Sequence, residues 1–137
     1  MSNKHSNKTE DKKVASTPKV TFKHAEGFQS RYANSVRFES SVYDLKLIFG
    51  ETDQSTGNEI IHQHTAITIP WSLVKTTEYF LELNLKIHEM INGTVLVPPS
   101  QMPTEAQPVP PEMMNDPNAH KAKDIVEKLR AEFIAKL

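Results

Sequence analysis

The sequence predicts an α+β fold: a small antiparallel β-meander of three to four strands, one long helix packed across it, and a tethered C-terminal amphipathic helix. Three observations predict it. Between Val36 and Ile69 apolar residues alternate with polar ones, the period of a strand with one covered face. From Trp71 the apolar spacing lengthens to three and four residues, the period of a helix. Seven of the nine prolines then fall between Pro98 and Pro117, and a second helical spacing follows them.

Each element has its own residue logic. Residues 1–30 are rich in Lys, Ser, Thr and Asn and bury too little apolar surface to offset chain entropy, so they read as a disordered basic tail. Val20 and Phe22 are their few candidates for an extended contact. The core domain is expected over residues 31–97. Val36 and Phe38 alternate with Arg37 and Glu39 as a first strand, and Ser40-Ser41 makes a short connection. Tyr43, Leu45, Leu47 and Phe49 share one face of a second strand, opposite Asp44 and Lys46, and Gly50 ends it. Glu51 to Asn58 carries turn residues, including Asp53, Ser55 and Gly57, and reads as a hairpin tip. A third strand follows, with Ile61, Gln63, Thr65, Ile67 and Ile69 on one face and Ile60, His62, His64, Ala66 and Thr68 on the other.

Pro70 suits a helix start, and Gly93 suits a stop. Between them Leu73, Val74, Phe80, Leu81, Leu83, Leu85, Ile87, Met90 and Ile91 form an apolar arc wider than a three-stranded sheet can cover. Thr94–Val97 is a candidate fourth strand. Residues 98–117 read as a proline-rich, semi-rigid linker. Asp116-Pro117 is a capping residue followed by proline at the first helical position. In residues 118–137, Ala122, Ile125, Val126, Leu129, Phe133 and Leu137 then line one stripe of an amphipathic helix.

Composition excludes several classes. Without cysteine there is no disulfide scaffold and no thiolate metal site, and the cytoplasm is the expected compartment. No apolar run approaches the ~20 residues of a membrane span, so no membrane partner is expected. The net charge of -1 hides a segregation of sign. Residues 1–38 are mostly basic, whereas residues 39–69 carry Glu39, Asp44, Glu51, Asp53 and Glu59 against Lys46 alone.

Several of these residues fall in a known order. Tyr32-Ala33-Asn34-Ser35-Val36, Phe49-Gly50, Ile67-Thr68-Ile69 entering a helix with Lys75, Asn84-Leu85, Glu89 and Gly93-Thr94-Val95 together resemble a family of short bacterial and archaeal proteins. That family is known only as a domain of unknown function, number thirty-four sixty-seven. The resemblance covers roughly residues 31–97 and neither tail. It departs at the helix start, where the family has Ser-Pro and this chain has Pro70-Trp71. It implies the α+β core and no activity, so no catalytic role passes to any residue.

Candidate chemistry is sparse. Ser40, Ser41 and Ser72 lack a nucleophile-elbow setting, and the four glycines are too scattered for a phosphate loop. No catalytic residue and no cofactor are expected. His62 and His64 point the same way along a strand and are the candidate metal pair, with Asp44 as a third donor. Lys12, Lys13, Lys19, Lys23 and Arg31, with Arg37 and the aromatics Phe22, Phe28 and Tyr32, are candidate nucleic-acid contacts through phosphate neutralisation and stacking. Ile125, Val126, Leu129 and Phe133 have the spacing of a helix that docks in a partner's groove. The leading expectation is a non-enzymatic interaction or adaptor protein. It would self-associate through its core, most simply as a dimer, and recruit a protein partner through the last helix. A nucleic-acid-associated protein, and a metal protein or enzyme centred on His62 and His64, are the alternatives.

Overall fold

Ser41 explains the first turn of the sheet. Its hydroxyl accepts from the backbone N–H of Tyr43 and of Asp44, both at 3.1 Å, and donates to Asp44 Oδ1 at 2.8 Å. The side chain thus closes a tight connection between β1 (Ser35–Ser40) and β2 (Asp44–Asp53), a local use of serine that competes with regular structure. In this computed structural model, which describes residues 17–55 and 57–137, β3 (Ile60–Pro70) completes a three-stranded antiparallel sheet of order β1-β2-β3. Helix α1 (Trp71–Asn92) follows β3 with no intervening residue, and helix α2 (Pro117–Ala135) closes the chain. The α+β class and both helices are as the sequence predicts.

The chain divides into two compact units. One runs through Arg37 and takes in Leu47–Ala66; the other holds Phe38–Lys46 and Ile67–Leu137. In the first, Gly50 does not end its strand, as expected, but lies inside it. A Cβ there would sit 2.6 Å from the His62 carbonyl oxygen and 3.0 Å from Gln63 Cα. Only glycine lets the two backbones come this close. Gly50 is also the one buried residue among those described. Asn34 fastens the same strand: its N–H donates to Gly50 O at 3.1 Å, and its Oδ1 accepts from Thr52 N at 2.8 Å.

In the second unit, Trp71 is the residue that ties α1 to the β1–β2 turn. Its indole N–H donates to Ser41 O at 3.1 Å. Trp71 itself is 40% exposed. Ser72 does not cap the helix: the cap position is Pro70, with no side-chain bond, and the Ser72 carbonyl instead accepts from the Thr76 hydroxyl. Gly93, at φ 89°, ends α1 by donating to Glu89 O, and the Glu89 carboxylate accepts from Val95 N at 3.1 Å. That bond holds Thr94–Val97 as an irregular exit where a fourth strand was a candidate.

Residues 98–117 do more than bridge. Short 3-10 turns occupy Pro99–Gln101 and Pro111–Met113. Met102 (φ -67°, ψ 138°) and Pro110 (φ -58°, ψ 146°), at the two ends of the stretch between them, have polyproline dihedral angles. The half-buried Pro103, Ala106 and Val109 of this stretch recur every third position, the repeat of a polyproline helix. They face α2, whose half-buried residues include Ala119, Lys123, Arg130 and Phe133. Arg130 Nε donates to Pro103 O at 3.1 Å, and its guanidinium reaches Glu105 at 4.0 Å. The linker and α2 therefore form an antiparallel hairpin.

Candidate functional site

The partner-binding residues expected on α2 are split by this hairpin. Asp116 caps the helix by accepting from Asn118 N at 2.9 Å, and Pro117 opens it. The cap directs one side of α2 against the proline arm. Val126 lines the cleft beneath Thr104–Pro110, together with Ala119 and Lys123. Phe133 is half-buried. Ile125 and Leu129, each 58% exposed, stay open on the neighbouring edge. Of the four expected anchors, two are therefore free and two are partly used within the chain.

Helix α1, like α2, has no buried residue. Its charged residues Lys75, Glu78, Glu82, Lys86 and Glu89 fall within about 80° of the helix circumference. Lys86 pairs with Glu82 at 2.9 Å, which holds the Glu82 carboxyl below its usual range. Most of the remaining circumference is apolar, with Leu81 67%, Met90 77% and Ile91 69% exposed, and is interrupted by a polar strip of Thr77, Asn84 and His88. No apolar side chain is buried anywhere among the described residues.

The histidine pair has a different setting from the one expected. Asp44 is taken up by Ser41, and it is Asp53 that lies beside His62, at 3.8 Å. Ser55, through its hydroxyl and then its backbone N–H, holds the Asp53 carboxyl below its ordinary value, with His62 contributing less. His64 Nε2 lies 2.9 Å from the Tyr32 carbonyl and Nδ1 lies 2.8 Å from the Thr65 hydroxyl. A carbonyl accepts only, so Nε2 carries a proton, and in the neutral ring Nδ1 then accepts from the Thr65 hydroxyl. Both His64 nitrogens are thus engaged. With Arg31, Glu51 and Gln63, the two histidines line a shallow polar depression. Among the described residues no group of three or more His, Cys, Asp or Glu side chains is placed to hold a metal ion.

Of the candidate nucleic-acid contacts, Lys12 and Lys13 lie outside the described residues. Lys19, Lys23 and Arg31 are exposed on an irregular segment with no strand or helix to align them. Phe22 is 93% exposed, while Phe28 stacks on His24 at 4.1 Å. The conspicuous asparagines also have local partners: Asn84 Nδ2 donates to Phe80 O at 2.7 Å within α1, and Asn34 clamps β2. Both asparagines therefore fasten backbone locally.

Compared with known proteins, the chain matches no family model, no curated protein and no solved structure. Among the described residues, no helix is long and apolar enough to cross a membrane.

Proposed function

We propose that this chain acts by binding: its α+β region is completed by a second copy of itself, and its C-terminal hairpin offers an edge to a protein partner. The observation that carries this reading is the absence of any buried apolar side chain among the described residues. A fold depends chiefly on apolar burial, so an apolar helix left bare indicates a missing surface. Among the described residues, Asn34, Ser41, Glu89 and Asp116 are engaged in strand fastening, a turn, a helix exit and a cap.

The hairpin supplies the second part of the proposal. Ile125 and Leu129 project from a helix already stiffened by its cap and its proline arm. Preorganisation of that kind lowers the cost of docking. Sedimentation equilibrium of the full chain tests the first part: a dimer at micromolar concentration is expected, and a stable monomer would refute it. The Ile125→Asp, Leu129→Asp double variant tests the second. It is expected to keep the oligomer and thermal stability of the parent chain while a co-purifying protein is lost. Loss of stability instead would assign these residues to the chain's own fold.

A further inference from the structure

We propose that α1 pairs antiparallel with α1 of a second copy, across a two-fold axis at the helix midpoint; this rests on the self-association proposed above and names its surface. Leu73, Thr76, Phe80, Leu83, Ile87 and Met90 recur at alternating steps of three and four residues along α1. That is the seam of a two-helix contact. None of the six is charged. The five apolar ones are 46%, 52%, 38%, 46% and 77% exposed in chain order. Of the half-buried residues of α1, Val74 and Glu89 lie on the far side of the helix, and Thr77 lies beside Leu73 at the edge of the seam.

The register points to the occupant. In an antiparallel pair, Leu73 meets Met90, Thr76 meets Ile87 and Phe80 meets Leu83 of the other copy. The axis that makes these pairs passes between Leu81 and Glu82. The midpoint of Trp71–Asn92 falls at the same place. All six layers therefore form with the helix ends flush, and no part of the seam overhangs. Each larger side chain also meets a smaller or more flexible one. A parallel pair would stack Phe80 on Phe80 and Thr76 on Thr76. The antiparallel alignment sets the two helix dipoles head to tail as well.

The area suffices. The seam and its borders leave on the order of 500 Å² of apolar surface on a helix about 33 Å long. Two copies together bury on the order of 1,000 Å², which is what a specific contact needs.

The chain has no cysteine, so introduced thiols report this contact alone. The full-length L73C/M90C double variant, both substitutions at exposed positions, is oxidised mildly and its linked peptides are mapped by mass spectrometry. Within one helix these two positions lie ~26 Å apart and cannot bond to each other. The expected product is a covalent dimer joined by residue 73 of one copy to residue 90 of the other. Joins of 73 to 73 and 90 to 90, or a wild-type dimer whose variant gives no covalent product while still sedimenting as a dimer, would overturn the antiparallel seam and leave self-association standing. A wild-type monomer in sedimentation would overturn both.

Discussion

Helices α1 and α2 have 22 and 19 residues and are built on opposite plans. Helix α2 is specified close at hand: Asp116 caps it, Pro117 starts it, and the arm of Pro103, Ala106 and Val109 covers one side. Helix α1 has no side-chain cap, although it is the more apolar of the two; neither helix has a buried residue. One helix carries part of its cover in the segment that precedes it, and under the proposed function the other takes its cover from a second copy. Most helical stability in proteins comes from packing of an apolar face, and α2 finds part of that packing in its own linker.

The contrast can be broken most severely at α1. Phe80→Glu with Leu83→Glu places two charges on the bare seam. Unpaired charges resist burial at a cost of several kcal/mol, so association should weaken by on the order of 100-fold or more in sedimentation equilibrium. An unchanged oligomer would mean that the bare side of α1 is not what draws copies together. Gly50→Ala comes next. Its methyl would meet the His62 carbonyl at 2.6 Å, and relieving that contact should cost roughly 1–3 kcal/mol, read as a lower midpoint in thermal unfolding.

Smaller effects should stay within the hairpin. Asp116→Ala removes a cap worth about 1 kcal/mol. It should reduce helical circular dichroism and speed amide exchange in α2, with the oligomer unchanged. Arg130→Met should cost ~1 kcal/mol or less through the lost bond to Pro103, seen as faster exchange over residues 122–134. An effect of either variant on the oligomer would show that the two helices are not independent.

The smallest effect is at the tip of the β2–β3 hairpin. Asp53 titrates below its ordinary 3.8 because Ser55 and His62 favour its charged form. A lowered carboxyl stabilises the fold above 3.8 and loses that contribution as pH falls through the lowered value. Asp53→Asn should therefore differ slightly from the parent chain in denaturant midpoint near neutral pH, and the two should converge in strong acid.

Much of the fold was legible because its signals are periodic or sit at single decisive positions. Alternation placed Leu45, Leu47 and Phe49 in β2, Gly93 stopped α1, and Asp116-Pro117 started α2. What was hidden depends on residues distant in sequence. Gly50 resembles a strand end until the approach of His62 across the sheet shows why it is needed inside. The three-residue repeat of Pro103, Ala106 and Val109 was present but reads as linker composition, because its meaning appears only when α2 lies alongside. The two histidines were legible as a pair. Their partners, Asp53 for His62 and Tyr32 for His64, were not, since strand alternation does not disclose what stands across from a residue. The bare arc of α1 was visible as excess apolar surface from the start.

The proline arm has a consequence for how this chain can change in length. A polyproline helix returns to the same face every three residues. One residue inserted ahead of Ala106 would rotate Pro103 by ~120° away from α2 and strip Arg130 of its acceptor. Three inserted residues would advance the arm by one full turn and present the same edge again. The arm thus behaves as a ruler marked in threes, and viable length variants of this segment should differ by whole multiples of that unit.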